Sequence, residues 1–175
     1  MSEDPAFEAW LEALPASPKD RGRVVRCVRR PRPGARELAL AVEVDTVGGV
    51  VGDYWKPRDA SDLRQVSLIN THVLASFAGT DPERAALSGD NLEVDLDLSL
   101  ANLPPGTRLA AGSALLAVLD RTYDPCGSFA RRFGQEAKRL ALAAMERGLR
   151  GRGVLCSVVR AGTIRAGDPI DVRRP

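Results

Sequence analysis

The chain has 175 residues, a formal net charge of +2 at pH 7 and 27% charged residues, long enough for one domain with a substantial core. Near-balanced charge excludes a dedicated nucleic-acid binder, which concentrates a basic field, and no apolar run is long enough to span a bilayer. Three cysteines, Cys27, Cys126 and Cys156, with no Cys-x-x-Cys pair exclude a disulfide framework and a zinc site on spacing, and predict a reducing, cytoplasmic setting.

The opening Met-Ser-Glu-Asp-Pro lacks the apolar core of a secretory signal. Asp4 to Leu14 reads as a short helix, with Asp4 as cap, Pro5 in the first turn and Phe7, Trp10, Leu11 and Leu14 on one face. Two prolines make Pro15 to Asp20 a linker. The expected division is an accessory helix and linker over 1–20 and one domain over 21–175. Arg23 to Val28 predicts a strand, and the arginines Arg29, Arg30 and Arg32 read as a solvated hairpin end rather than an anion patch. From Glu37 to Val44 apolar residues alternate, predicting one half-buried strand with Leu38, Leu40, Val42 and Val44 on one face.

The Gly48-Gly49-Val-Val-Gly52-Asp53 segment lacks the Lys-Ser/Thr of a P-loop and predicts a tight turn beside a strand. Arg64 to Ile69 is a further strand, followed by Asn70 and Thr71 as caps of a helix through Phe77. His72, the only histidine, reads as a surface or capping residue. A second helix starts at Asp81-Pro82-Glu83 and is expected to end at Gly89. A bend at Gly89 and Asn91 leads into alternation from Leu92 to Leu98, whose acids Glu93, Asp95 and Asp97 predict a solvated strand face.

Thr107 to Leu119 reads as a hairpin about Ala111-Gly112-Ser113. Its second strand opens into Arg121-Thr-Tyr-Asp-Pro125-Cys126-Gly127. Pro125 fixes its own φ and Gly127 permits close approach, so the backbone aims the Cys126 thiol. Arg121, Arg131 and Arg132 flank it in sequence, and cations favour the thiolate, which is both nucleophile and soft metal ligand. A second reading makes Cys126 an ordinary buried small hydrophobe. A helical turn over Ser128 to Arg132, a helix over Gln135 to Arg147, a strand over Val154 to Val159 with a packed Cys156, and closing short strands complete the chain. Many short strands with few helices predict a mainly β protein, a closed or nearly closed barrel.

Four segments then fall into register: Arg64-Gln65-Val-Ser-Leu, Gly89-Asp90-Asn91-Leu92, the hairpin ending in Pro125-Cys126, and Gly162-x-Ile-x-x-Gly167-Asp168. In order and approximate spacing they resemble the MOSC domain, named for the C-terminal part of molybdenum cofactor sulfurase, over roughly Val24 to Val172. The resemblance implies a MOSC-type β-barrel with a few peripheral helices and a cleft carrying the cysteine. It implies a standalone bacterial type that binds the molybdenum cofactor (molybdopterin), reducing N-hydroxylated compounds or carrying sulfur on Cys126. By it, Cys126 is the catalytic residue and metal ligand, Arg64 and Arg152 hold the cofactor phosphate in forked contacts, and Asn91 reads the pterin edge. Asp90 replaces the family's usual Glu. The structural alternatives are strand-edge pairing for Arg64, turn geometry for Asn91 and solvation for Arg152. The chain leaves no room for a pyridoxal-phosphate desulfurase domain and lacks a ferredoxin-like cysteine cluster. An external sulfur-donor or electron-donor protein and a small-molecule substrate are therefore the expected partners, with neither nucleic acid nor membrane. Two other readings stand beside it: a non-enzymatic β-barrel module binding a small anionic ligand or a protein partner, and a Cys-His hydrolase, which needs His72 beside Cys126.

Overall fold

The computed structural model describes residues 4–175; the Met-Ser-Glu of the acidic opening segment lies outside the described residues. Strands β1 (Arg21–Arg29), β5 (Val66–Asn70), β6 (Leu92–Asp95), β7 (Arg108–Ala111), β8 (Ala114–Val118), β9 (Val154–Arg160) and β11 (Pro169–Arg173) form one sheet in the order β11-β7-β8-β9-β5-β6-β1. Pairing of β1 with β11, in the register Arg21↔Asp171 and Gly22↔Ile170, closes this sheet into a seven-stranded barrel. Closure leaves no free edge along the ring. β2 (Glu37–Ala39) adds to β1, and β3 (Ala41–Asp45), β4 (Gly49–Val50) and β10 (Gly162–Arg165) form a small second sheet.

β5 and β6 are the parallel pair, with Leu68 opposite Leu92. A parallel connection needs a crossover, supplied by α2 (Thr71–Ala78) and α3 (Pro82–Ala86). Asn70 caps α2 by accepting from His72 N and Val73 N. The barrel interior is filled by alternate residues of every strand, among them Val24, Leu68, Leu92, Leu109, Leu116 and Cys156. The outer face of β5 is covered as well. Ile69 packs with Leu74, Phe129 and Phe133 under α2, α4 (Gly127–Phe133) and α5 (Gln135–Glu146), so β5 reads as a nearly continuous buried run. Helix α1 (Pro5–Ala13), capped by Asp4, sets Phe7 against Leu140 and Ala144 of α5. Among the described residues no helix is long and apolar enough to cross a membrane.

Three sequence expectations change. The alternation from Glu37 to Val44 breaks at Leu40: Val42 and Val44 are buried, but Leu38 and Leu40 are exposed. β2 belongs to the barrel sheet and β3 to the small sheet, so one chain segment changes partners at that residue. The acids after Leu92 do not form a solvated face. Glu93 is buried, gripped by Arg26 at 2.6 and 2.9 Å and by Thr71 Oγ1 at 2.5 Å, because β6 is flanked by β1 and β5 and touched by α2. Finally, α3 ends at Ala86 with Leu87 as its cap; Gly89, at φ 78°, makes the bend into β6.

Candidate functional site

Between the Trp55–Arg64 segment, β5 and the loop after β8 lies a cavity of about 220 Å³, lined by Arg30, Trp55, Arg64, Gln65, Ser67, Asn91, Leu155 and the run 121–124. Its floor follows from the bend at Gly89. Past that bend, Asn91 N donates to Ser67 O at 3.1 Å, and Asn91 O accepts from Val28 N at 2.8 Å. Asn91 thus ties β1 to β5. Its side-chain oxygen accepts from Ser67 N and Oγ at 3.2 and 3.3 Å, and its amide donates to Asp53 at 3.2 Å. Asp53 in turn takes the main-chain N and the fork of Arg30. The glycine segment is the tight turn its composition predicts. At Gly49, φ is 79° and a Cβ would lie 2.3 Å from Gln65 O, a close approach only glycine permits.

Arg64 stands at one wall. Its Nε and Nη2 each reach Asp62 at 2.8 Å, and its guanidinium lies 5.8 Å from the Trp55 ring centre. The Arg64 hydrogen bonds hold the Asp62 carboxyl well below the usual carboxylate range.

The opposite wall leads to Cys126. Arg152 is buried beneath it, donating to Asp90 at 2.7 Å, to the Tyr123 hydroxyl at 2.8 Å and to Ser88 O at 3.3 Å. The guanidinium also lies 4.1 Å from the Tyr123 ring and 5.1 Å from that of Phe129, close enough for cation–π attraction. Asp90 accepts from the Tyr123 hydroxyl at 2.9 Å. Arg152, Asp90 and Tyr123 therefore form a closed triangle. Burial works against the Arg152 charge, but Asp90 and Tyr123 outweigh it and keep the cation. The Nε of Arg152 is buried with no partner. Burial first, and Asp90 second, push the Tyr123 phenol up, so it stays protonated.

Cys126 occupies the position preceding α4 and is exposed, two residues past the cavity-lining run. No side-chain hydrogen bond caps that helix. Partial burial of the sulfur opposes ionisation, yet the N–H groups of Phe129 and Ser128 and the charge of Arg152 hold the thiol below its ordinary pKa. The other cysteines behave oppositely. Burial pushes the Cys27 thiol up to about 11 and the Cys156 thiol up to about 12. The reading of Cys126 as a buried hydrophobe does not hold, and the packing role of Cys156 does.

Of the four expected site residues, Arg64 and Asn91 line the cavity, while Arg152 and Cys126 do not: Arg152 is joined to the lining through Tyr123, and Cys126 follows the lining run by two residues. His72 lies elsewhere, its Nε2 3.3 Å from Asp95, in a hollow against α1, and no hydrogen bond joins it to Cys126. Arg30, read from the sequence as part of a solvated hairpin end, instead grips Asp53 and lines the cavity; Asp53, Trp55 and Tyr123 escaped the sequence reading as site residues. Tyr123 sits three residues before the cysteine, and Asp53 directly follows the glycine turn; these were the available signals. Among the described residues no group of three or more His, Cys, Asp or Glu could hold a metal.

The MOSC domain family model matches residues 56–171. Comparison with curated proteins finds no match. Among solved structures, the YUAD protein from Bacillus subtilis is similar with a TM-score of 0.68 at 19% identity, over 89% of this chain and 97% of that one. YiiM from Escherichia coli gives 0.57 at 21% identity over 87% and 70%. YiiM from Geobacillus stearothermophilus gives 0.59 at 18% over 87% and 75%. These similarities establish the shared fold.

Proposed function

The chain belongs to the MOSC domain family, and we propose that it binds the molybdenum cofactor between the cavity and the neighbouring Cys126, with Cys126 as the one protein donor to the metal. The observation that carries this reading is the contrast among the cysteines: Cys126 is exposed and disposed to ionise beside Arg152, whereas Cys27 and Cys156 are buried and held protonated. A thiolate is the soft ligand such a metal takes. With no cluster of further ligating side chains among the described residues, the remaining donors would come from the pterin and from solvent.

The donor set fits such a group. Arg64 lies at the cavity wall with its Nε/Nη2 edge on Asp62, so it would meet the cofactor phosphate through its remaining Nη1 side and not through the fork. Asn91 spends its oxygen on Ser67 and its amide on Asp53 and, at 3.5 Å, on Val28 O, so it shapes the floor of the site, and reading a ring edge would require it to give up the long bond to Val28. Arg152 has committed both Nη atoms to Asp90, Tyr123 and Ser88. In this reading it acts from behind, through its charge on the sulfur and its unpartnered Nε. When bound, the cofactor supplies two-electron redox chemistry, suited to reducing N-hydroxylated compounds with electrons from an outside donor protein. Without the metal, the same thiolate could take the outer sulfur of a donor protein's persulfide, the donor cysteine leaving as its thiolate, and carry it as a Cys126 persulfide.

The test is elemental analysis of protein produced in a host that makes the cofactor. The reading expects molybdenum approaching one per chain in the wild type and none in Cys126→Ser. Equal metal in both, or none in either, overturns it.

A further inference from the structure

A second constellation lies over the Leu87–Gly89 turn. Arg30 reaches it with Nη1 on Gly89 O at 3.1 Å, and Arg132 with Nη1 on Leu87 O at 2.9 Å. Arg36 lies against the same turn: a Cβ added to Gly89 would meet its Nη2 at 3.0 Å and its Nε at 3.4 Å. Three guanidinium groups therefore come from the β1–β2 hairpin and from α4 to one bend.

Their pairing is incomplete. Elsewhere in this molecule arginines use the Nε/Nη2 side of the fork to grip a carboxylate: Arg26 on Glu93, Arg29 on Glu37, Arg64 on Asp62 and Arg139 on Glu136. Arg30 does the same with Asp53. Arg36 uses only Nη1, on the neighbouring Ala35 O, and its Nε is buried with no partner. Neither Arg36 nor Arg132 has a carboxylate within ion-pair distance among the described residues. The acids close by are taken, Asp53 by Arg30 and Asn91, and Glu37 by Arg29. Burial first, then the charges of Arg132 and Arg30, depress the Arg36 pKa, with Tyr54 and Asp53 opposing. Uncompensated like charges held together around an orphaned buried donor call for a counter-charge, and the planar fork suits an oxyanion.

We propose that Arg36, Arg132 and Arg30 form a binding site for a phosphate-class oxyanion over the Leu87–Gly89 turn. The anion takes the free Nε/Nη2 side of Arg36 and the unused donors of Arg132. Arg30, which also lines the cavity, joins the two places. The chemistry is shared by free phosphate and by the phosphate end of a ligand whose body lies in the cavity. The proposal stands whether or not Cys126 carries a metal.

The experiment follows thermal unfolding of the full chain in inorganic phosphate, with sodium chloride holding ionic strength constant. For a Kd of about 1 mM, about 20 mM phosphate should raise the wild-type Tm by roughly 4–7 °C. Arg36→Leu and Arg132→Ala should each weaken binding at least about tenfold, the cost of losing a charge-assisted fork. Without phosphate, Arg36→Leu should melt no lower than wild type, because it removes like-charge repulsion. AMP binding more tightly than phosphate assigns the site to the phosphate end of a larger ligand, and equal binding assigns it to the free anion. Cys126→Ser should keep the whole phosphate response, so failure here and failure of the cofactor reading are separable. No wild-type shift, or the same shift in Arg36→Leu, overturns the proposal.

Discussion

Replacing Asp90 by Asn tests the triangle behind Cys126. The substitution keeps the side-chain shape and removes the charge facing Arg152. Both partners are buried, with side-chain exposures of 7% and 0% at a separation of 2.7 Å. Breaking a buried pair by removing one charge costs about 3–5 kcal/mol, because the remaining charge stays desolvated. For a chain of this size each kcal/mol moves Tm by about 2–4 °C, so Asp90→Asn should melt roughly 6–20 °C lower. Arg152→Met should destabilise too, leaving the Asp90 carboxylate buried without its cation. The two variants part at the sulfur. Arg152→Met removes the cation acting on Cys126 and should raise the thiol pKa, whereas Asp90→Asn leaves that cation and should not. The assay pairs thermal unfolding with thiol titration by a chromogenic disulfide. An Asp90→Asn protein within about 1 kcal/mol of wild type would match an exposed pair and refute the buried one; an unmoved thiol in Arg152→Met would refute the charge coupling.

Two further outcomes follow from the same geometry. Cys27 and Cys156 keep their protons in the fold to about pH 11 and about pH 12, while unfolded thiols ionise near pH 8.5. Between those values the native state binds more protons than the unfolded one, so stability falls as pH rises, by up to about 2.7 kcal/mol per pH unit for two thiols. Denaturant unfolding from pH 8 to 11 reads this slope, which should roughly halve in Cys27→Ala, and a flat profile would contradict it. Arg64→Ala should lower the molybdenum retained through purification while leaving Tm near wild type, since its salt-bridge partner is its near neighbour Asp62; unchanged metal content would remove Arg64 from the site.

Much of the barrel is legible in the chain because its determinants are local. The hairpin of β7 and β8 follows from apolar residues either side of Ala111-Gly112-Ser113, and α2 from Asn70 placed before an apolar stripe. The break at Leu40 is not legible, since its neighbours alternate as well as any strand; only the partners, β1 on one side and β10 on the other, divide it. Likewise Glu93 reads as solvated until Arg26, 67 positions away, lies beside it. The site divides in the same manner. Cys126 between Pro125 and Gly127 is marked by its neighbours. The burial of Arg152 is not, because Asp90 and Tyr123 lie 62 and 29 positions from it and meet it only when β9, which follows Arg152, and β6, which follows Asp90, pair on either side of β5 beneath the loop after β8. Asp90, one methylene shorter than the Glu that the resemblance leads one to expect, reaches both partners.

Alkylation of the three cysteines by iodoacetamide across pH 5 to 10, resolved by peptide mapping, probes the cofactor reading at its root. Cys126 should react alone in the native protein, with an inflection below the ordinary thiol value, while Cys27 and Cys156 stay unmodified until the chain unfolds. An inflection at or above the ordinary value, or a Cys126 as slow as the two buried thiols, would contradict a thiolate presented for metal or sulfur.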